Sequence, residues 1–127
     1  MKVLVAEDEA FLREVLECIF IKAGHTVVLA KDGQEAWELL VRGDEFDLIL
    51  SDKDMPRMNG LELLRRVRTG NRTAAIIFVL TSGNDVVSRD DSTPLEVVCA
   101  KYGAGFIEKP FSLAKLTALL GEKVNSH

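Results

Sequence analysis

The sequence predicts a single α/β domain in which helices cover both faces of a five-stranded, doubly wound parallel sheet. Strand-like and helix-like segments alternate five times along the 127 residues, as in a series of βα units. The strand-like segments are almost continuously apolar, which is typical of strands that are buried on both faces. The length suits one domain with one sizeable core, and no linker, internal repeat or low-complexity segment interrupts the pattern.

The first two strand-like segments are KVLVA at Lys2–Ala6 and TVVLA at Thr26–Ala30, and both are rich in β-branched residues. Apolar residues recur at helical spacing between them, and Gly24 is a natural residue to end that helix. The residues that recur at this spacing are Phe11, Leu12, Val15, Leu16, Ile19 and Phe20.

The second helix is predicted to begin after Asp32. Asp32 is a suitable N-cap residue, and Glu35, three positions later, completes an Asp variant of the capping box. The apolar face of this helix is predicted to consist of Ala36, Trp37, Leu39 and Leu40.

The third strand is predicted at residues 46–50 (FDLIL), and the fourth at residues 74–80 (AAIIFVL), which are apolar on both faces. Between them, GLELLRRVRTG has the pattern of an amphipathic helix. Leu61, Leu64 and Val67 are expected to face the core, while the arginines of this helix face solvent.

The last part of the chain repeats the same alternation. TPLEVVCAKYG predicts a helix with Thr93 as N-cap, Pro94 at the first helical position and Glu96 at the capping-box position. GFIE is a short fifth strand, and a closing helix follows the capping residue Ser112. The polar residues 82–92 predict a long loop within the domain.

Composition and charge exclude several classes of protein. The formal net charge of −4 argues against nucleic acid binding by this domain, because binding to phosphates needs a clustered basic patch. The N-terminal apolar run is too short for a signal peptide or a membrane span, so we expect a cytoplasmic protein with no membrane association. Cys18 and Cys99 lie among apolar residues of predicted helices, which favours buried, reduced thiols over a disulfide or a metal site.

Polar and charged residues follow four of the five predicted strands. Asp is a poor strand former and is rarely buried without a partner, yet Asp52 and Asp54 directly follow an apolar strand. The carboxyl ends of parallel strands meet at one edge of the sheet, where ligands bind in open α/β folds. The groups expected to meet there are Glu7 and Asp8, Asp52, Thr81 and Ser82, and Lys109 with Pro110.

These residue types predict a site for phosphoryl chemistry on a carboxylate. Taken one at a time, each residue has an ordinary structural explanation; for example, Glu7 and Asp8 suit the first turn of a helix. Three converging carboxylates, however, cannot all stay ionised cheaply without a cation, and an all-oxygen cluster suits Mg²⁺. Asp52 is then the expected nucleophile, with Mg²⁺ and Lys109 neutralising charge and the Thr81 hydroxyl responding to the product.

Four motifs together resemble the receiver domain of two-component response regulators. They are the acidic pair Glu7-Asp8, LILSDKDMPRMNG around Asp52, LTS at Thr81 and FIEKPF at residues 106–111. Each motif is weak alone, but all four occur in order, each at the end of a strand. The resemblance implies a flavodoxin-like fold and one receiver domain over residues 1–127.

The resemblance also implies roles for individual residues. Asp52 receives a phosphoryl group from a histidine kinase or a histidine phosphotransfer protein, and Lys109 contacts that group. Mg²⁺ is held by Asp8, Asp52 and the main-chain carbonyl of Asp54, with Glu7 helping through water. Thr81 and Phe106 act as switch residues that change the surface of the fourth helix, fifth strand and fifth helix. A cis peptide bond between Lys109 and Pro110, with the lysine amine near Asp52, is expected as well.

The sequence departs from the common family pattern at two places. Asp54, two residues after the expected nucleophile, adds a fourth carboxylate that should repel an anionic donor and strengthen cation binding. The stretch between Thr81 and Lys109 is several residues longer than usual, so the downstream partner is not inherited from the family. The effect of Asp54 on the rates of phosphorylation and dephosphorylation is left open.

Two other classes share parts of the pattern. A Mg²⁺-dependent aspartyl-phosphate hydrolase of the haloacid dehalogenase type also uses a DxD-like motif, but its nucleophile follows the first strand, and Pro56 occupies the position of an expected hydroxyl residue. A flavin-binding flavodoxin needs a hydroxyl- and glycine-rich phosphate loop where this chain has AEDEAF. The hydrolase is retained as the alternative hypothesis.

The sequence therefore predicts a phosphorylation-dependent signalling switch that catalyses its own phosphorylation and slow dephosphorylation, not a turnover enzyme. The kinase, signal, output partner and any phosphorylation-dependent dimer are left open. The chain is expected to be a stand-alone receiver or the N-terminal part of a longer regulator.

Overall fold

A computed structural model describes residues 1–83, 94–109 and 112–125, and it confirms the predicted α/β fold with one five-stranded sheet. The strand order is β2-β1-β3-β4-β5, and every neighbouring pair is parallel. The strands are β1 Lys2–Ala6, β2 Thr26–Ala30, β3 Leu48–Asp52, β4 Ile77–Ser82 and β5 Gly105–Glu108. The helices are α1 Ala10–Lys22, α2 Gly33–Val41, α3 Gly60–Thr69, α4 Leu95–Lys101 and α5 Leu113–Asn125.

Two hydrophobic cores lie on opposite faces of the sheet. Successive side chains of a strand point to opposite faces, so Leu4 of β1 faces one core while Val3 and Val5 face the other. The first core lies under α2, α3 and α4, and the second lies under α1 and α5. Burial on both faces explains why the strands are continuously apolar in sequence.

The strand order reverses at β1, which pairs with β2 on one side and with β3 on the other. In open parallel sheets, such a reversal opens a crevice at the carboxyl ends of the strands, and ligands bind there. The register brings Ala6 level with Ser51 and brings Asp52 level with Thr81 on β4. The fold therefore places the acidic ends of β1 and β3 beside each other.

The third and fourth strands begin and end later than the sequence predicts. β3 runs to Asp52 because the parallel ladder with β4 continues to the Asp52–Thr81 pair. Residues 74–76 belong to a turn, which is closed by bonds from the Ala74 N–H to the Gly70 carbonyl (3.1 Å) and from the Ile76 N–H to the Thr73 carbonyl (3.1 Å). Tertiary pairing, not apolar composition, determines these boundaries.

The outer face of α1 is less buried than its apolar sequence predicts. Leu16 and Phe20 are buried, but Phe11 is 72% exposed and Cys18 is exposed as well. Cys18 lies two positions from both Leu16 and Phe20, about 200° around the helix, and so faces away from the sheet. The prediction of a buried thiol is therefore wrong for Cys18 and confirmed for Cys99, and the two cysteines form no disulfide with each other.

Helix α3 packs as predicted, with one exception among its arginines. Leu61, Leu64 and Val67 are buried, and Arg66 is exposed. Arg68, predicted to face solvent, is half-buried because its guanidinium donates to main-chain carbonyls before β4 and between α4 and β5. These carbonyls belong to Ala74 (3.1 Å), Ile76 (2.6 Å), Tyr102 (2.6 Å) and Gly103 (3.3 Å).

The predicted helix caps are largely confirmed. Asp32 accepts a bond from the Glu35 N–H (2.8 Å), and Ser112 accepts one from the Lys115 N–H (3.0 Å). Helix α4 begins at Leu95, because Pro94 has ψ 137° and is the N-cap, not the first helical residue. Thr93 and the predicted loop beyond Gly83 lie outside the described residues. Among the residues described, no helix is long and apolar enough to cross a membrane.

Candidate functional site

Three carboxylates meet at the carboxyl edge of the sheet. Oxygen atoms of Glu7, Asp8 and Asp52 all lie within 4.8 Å of one another. Glu7 and Asp52 are buried, with 2% and 7% of their surface exposed, whereas Asp8 is exposed. The cluster is thus closed on its protein side and open to solvent at Asp8.

The main chain fixes Glu7 directly after β1. Its N–H donates to the Ala30 carbonyl of β2 (3.1 Å), and its carbonyl accepts a bond from the Arg13 guanidinium of α1 (2.8 Å). The Glu7 carboxylate also accepts the Glu9 N–H (3.1 Å). These bonds hold Glu7 to β2 and to the start of α1.

Asp52 is held at the last position of β3 by a tight loop. The Lys53 N–H donates to the Thr81 carbonyl (2.7 Å), and the Gly60 N–H donates back to the Lys53 carbonyl (2.8 Å). Gly60 packs directly against the Asp52 main chain, since a Cβ atom at Gly60 would lie 2.2 Å from the Asp52 carbonyl oxygen. A glycine at the start of α3 is therefore needed for the approach of the helix to the strand.

Lys109 brings a positive charge to the cluster from the end of β5. Its amine lies 3.0 Å from Glu7 Oε1 and 3.4 Å from Asp52 Oδ1. Its N–H donates to the Ser82 carbonyl (2.7 Å), which fixes where the side chain starts. The predicted reach of the Lys109 amine to Asp52 is confirmed. The predicted cis bond involves Pro110, which lies outside the described residues.

The two residues predicted to act as a switch lie on adjacent strands. Thr81 is buried next to Asp52, and its hydroxyl donates a long bond of 3.5 Å to the Ser51 carbonyl. Phe106 on β5 is level with Leu80 on β4 and is partly buried against the core under α2, α3 and α4. Strand β4, which carries Thr81, therefore lies between Asp52 on β3 and Phe106 on β5.

Asp54 lies outside the group of three carboxylates found among the described residues. Its side chain is about half exposed, and Oδ2 lies 3.9 Å from the amine of Lys53, whose own side chain is buried. The Asp54 N–H does contribute to the site, because it donates to the Asp52 carboxylate. Any contact of the Asp54 carbonyl with a cation stays a prediction.

Burial and charge shift the pKa values at this site. Burial raises the pKa of the Asp52 carboxyl above its ordinary value, and bonds from Lys109 and the Asp54 N–H oppose that shift only in part. Burial likewise raises the pKa of Glu7, against the bond from Lys109. Burial alone would lower the pKa of Lys109, but its bond to Glu7 and the Asp52 charge raise it above its ordinary value.

The donor set fits a small divalent cation. All three grouped side chains offer carboxylate oxygens, the ligand type that Mg²⁺ prefers, and the exposed Asp8 leaves room for the waters that Mg²⁺ usually keeps. The single charge of Lys109 is shared by Glu7 and Asp52, so a cation would relieve the remaining repulsion among the three acids. Glu7, Asp8 and Asp52 are therefore the side chains that can hold such an ion.

Residues 3–121 match the family described as "Response regulator receiver domain". The chain belongs to this family. It is 36% identical over 117 residues to the chemotaxis protein CheY homolog of Campylobacter jejuni, covering 88% of this chain and 83% of that protein. It is 35% identical over 130 residues to chemotaxis protein CheY1 of Helicobacter pylori, covering 95% and 98% of the two chains. A solved response regulator receiver protein from Pseudomonas putida has 31% sequence identity and a TM-score of 0.79, with 95% of each chain covered.

Membership of this family confirms the predicted class of protein. Receiver domains are signalling proteins of two-component systems, not turnover enzymes, and they typically bind Mg²⁺. The flavodoxin-like fold is confirmed by the same comparison. The hydrolase alternative finds no support among the relatives.

Three groups near the site were not predicted from the sequence. Two of them are Arg13 on α1 and the buried Lys53. Their positive charge alone does not indicate a place near the site, because arginine and lysine occur throughout exposed helices and loops. The third group is an ion pair between Asp32 and Arg57. The sequence shows the positive charge of Arg57 in the loop after Asp52, but it does not show that its partner is Asp32, 25 positions earlier.

Proposed function

We propose that this receiver domain is a phosphorylation-dependent switch that accepts a phosphoryl group on Asp52 from a histidine kinase or a histidine phosphotransfer protein. The observation that carries the proposal is the position of the Lys109 amine against both buried carboxylates, beside the exposed Asp8. A buried carboxylate next to a fixed cation and an open acidic site has the parts that phosphoryl transfer requires.

The cation site is assigned to Asp8, Asp52 and the main-chain carbonyl of Asp54, with Glu7 contributing through water. Bound there, Mg²⁺ would supply positive charge to the oxygens of the transferred group. The protein's own part is to hold the three carboxylates within 4.8 Å, which the bonds to Glu7 and the packing of Gly60 accomplish.

In the proposed reaction, a carboxylate oxygen of Asp52 attacks phosphorus, and the bond from phosphorus to the donor nitrogen breaks. The product is an acyl phosphate on Asp52 and a free histidine on the donor. Asp52 must be ionised to attack, and Lys109 with the Asp54 N–H favours that state against the effect of burial. The Lys109 ammonium then lies close enough to interact with the phosphoryl oxygens.

The switch is proposed to run from Asp52 through Thr81 to Phe106. At 3.5 Å, the hydroxyl bond from Thr81 to the Ser51 carbonyl is weak, so phosphoryl oxygens would be the better partner. Movement of Thr81 would change the space beside Phe106, which has no hydroxyl to satisfy and is already partly buried. The altered surface would be that of α4, β5 and α5, which an output protein or domain, or a second phosphorylated copy, would recognise.

The proposal is tested by phosphorylation with acetyl phosphate, a small donor that bypasses the unidentified kinase. Intact-protein mass spectrometry should show one added phosphoryl group with Mg²⁺ and none in excess chelator. Asp52→Asn should abolish the addition, whereas Asp44→Asn, which removes an acid at the opposite edge of the sheet, should leave it unchanged. Equal labelling with and without Mg²⁺, or of Asp52→Asn, would contradict the proposal.

A further inference from the structure

Arg57 adopts a backbone conformation that arginine rarely takes. It lies in the loop between Asp52 and α3 with φ 67°, and it is the one non-glycine residue of the described chain with positive φ. The Met58 N–H donates to the Pro56 carbonyl across it (2.7 Å), which makes a γ-turn centred on Arg57. Such conformations cost energy and persist only where surrounding contacts hold them.

The contact that holds this turn is a two-point ion pair with Asp32. The Arg57 Nε lies 2.8 Å from Asp32 Oδ2, and its Nη2 lies 3.2 Å from Oδ1. Asp32 is only 3% exposed and also accepts the Glu35 N–H at the start of α2. Burial alone would raise the pKa of Asp32, but the bonds from Arg57 and the Glu35 N–H lower it, so the acid stays ionised.

The two loops joined by this ion pair are also in main-chain contact. The Gly33 N–H donates to the Met58 carbonyl (3.1 Å), and a Cβ atom on Gly33 would lie 2.2 Å from that oxygen. The start of α2 and the loop after β3 therefore pack together at Gly33 without space for a side chain there. The Arg57–Asp32 ion pair lies at the surface end of this contact, where the Arg57 side chain is half exposed and the Asp32 side chain is buried.

The two segments joined by these contacts follow the strands that flank β1. β1 lies between β2 and β3 in the sheet, so contacts between the loops after β2 and β3 span the carboxyl end of β1, which leads into Glu7 and Asp8. The β3 loop starts at Asp52 and includes Asp54, whose N–H donates to the Asp52 carboxylate. Its conformation therefore determines where part of the proposed cation site lies.

We propose that Arg57 and Asp32 are positioning residues that hold the loop of residues 53–59 in the conformation required for cation binding at Glu7, Asp8 and Asp52. Neither residue touches the reacting groups. The inference rests on the proposed function. It adds that an ion pair outside the acidic cluster holds the cation site in place.

The test compares Mg²⁺ affinity with folding stability in matched variants. Arg57→Gly removes the ion pair. Because glycine adopts positive φ without strain, any effect of this variant comes from the lost contact and not from the backbone. Asp32→Asn keeps an acceptor for the Glu35 N–H but removes the charge. Arg42→Ala is the control, because Arg42 makes a similar two-point ion pair with Asp44 (2.9 and 3.2 Å) at the opposite edge of the sheet.

Mg²⁺ dissociation constants are measured by calorimetry on the folded protein without a phosphodonor, and stability is measured by urea unfolding in chelator. Arg57→Gly and Asp32→Asn should each weaken Mg²⁺ binding by about 10-fold. This is the lower end of the loss seen when hydrogen-bonding partners of metal ligands are removed, because the ion pair acts on the site only through the loop. The double variant should add little to either single change, because both remove one interaction. Arg42→Ala should bind Mg²⁺ like the wild type.

A loss of stability in Arg57→Gly and Asp32→Asn with unchanged Mg²⁺ affinity would overturn the inference, since it would show a purely structural ion pair. If wild-type protein is phosphorylated by acetyl phosphate while both variants match it in Mg²⁺ affinity, only this inference fails. If the wild type neither binds Mg²⁺ nor is phosphorylated, the proposed function fails and the inference fails with it.

Discussion

The amine of Lys109 lies 3.0 Å from Glu7 and 3.4 Å from Asp52, so one ammonium group is shared by two buried acids at the ends of different strands. The bond to Glu7 is the shorter of the two, which leaves Asp52 less fully compensated. Asp8, the third acid of the cluster, faces solvent. The metal-free site therefore holds excess negative charge, and several properties of the protein should follow from this imbalance.

Lys109→Met should destabilise the protein at pH 7 because it leaves Glu7 and Asp52 buried without a cation. The free energy of unfolding should fall by about 1–3 kcal/mol, less than for a fully buried pair because the lysine side chain is 21% exposed. Urea unfolding measures the loss, with Lys115→Met on the exposed side of α5 as the control. Equal stability of the two variants would show that Lys109 does not compensate the acids.

Glu7→Gln should stabilise the metal-free protein at pH 7 and should have little effect in acid. The pKa of Glu7 is raised above its ordinary value of 4.5, so the folded state binds the proton more tightly than the unfolded state. Stability from Glu7 is then fully present below pH 4.5 and is lost as the pH rises through the raised pKa. Urea midpoints measured in chelator across this range test the sign, and a variant that is less stable than wild type at pH 7 would contradict it.

Gly60→Ala should destabilise the protein by about 1–3 kcal/mol, because the added Cβ would meet the Asp52 carbonyl oxygen at 2.2 Å. The strand end must move to relieve the clash, so Mg²⁺ binding should weaken too. Gly121→Ala in α5 is the matched control: a Cβ there meets nothing within 4 Å, and helix propensity predicts a gain of roughly 0.5–1 kcal/mol. Unchanged stability and Mg²⁺ affinity in Gly60→Ala would reject the assigned contact.

Amide hydrogen exchange tests the proposed switch. Beryllofluoride, which mimics the phosphoryl group, should change protection around Thr81 and Phe106 and across residues 82–102. Asp52→Asn, treated in the same way, should show no such change. If protection changes only at Asp52 and its immediate neighbours, this receiver signals by a route other than Thr81 and Phe106.

The convergence of Glu7, Asp8, Asp52 and Lys109 could be predicted from sequence because parallel strands bring their carboxyl ends to one edge. The boundaries of β3 and β4 could not, since ladder pairing and turn bonds decide them, not apolar composition. The apolar repeat of α1 does not show which of its residues are buried, because the helix buries only the narrow stripe that contains Leu16 and Phe20.

The Asp32–Arg57 ion pair was missed for a different reason. The capping position of Asp32 already accounts for an acid there, and the capping bond to the Glu35 N–H is confirmed. Nothing in the local sequence indicates that the same carboxylate has a second partner 25 positions away. Contacts between loops depend on the angle at which strands and helices pack, which single-sequence patterns do not contain.

Mapping the modified residue decides whether Asp52 carries the phosphoryl group. After labelling with acetyl phosphate and Mg²⁺, borohydride reduces an aspartyl phosphate to homoserine, and peptide mass spectrometry then locates the reduced residue. Homoserine is expected at position 52 alone. Reduction at Asp54 or Asp8, or labelled protein with Asp52 unmodified, would contradict it.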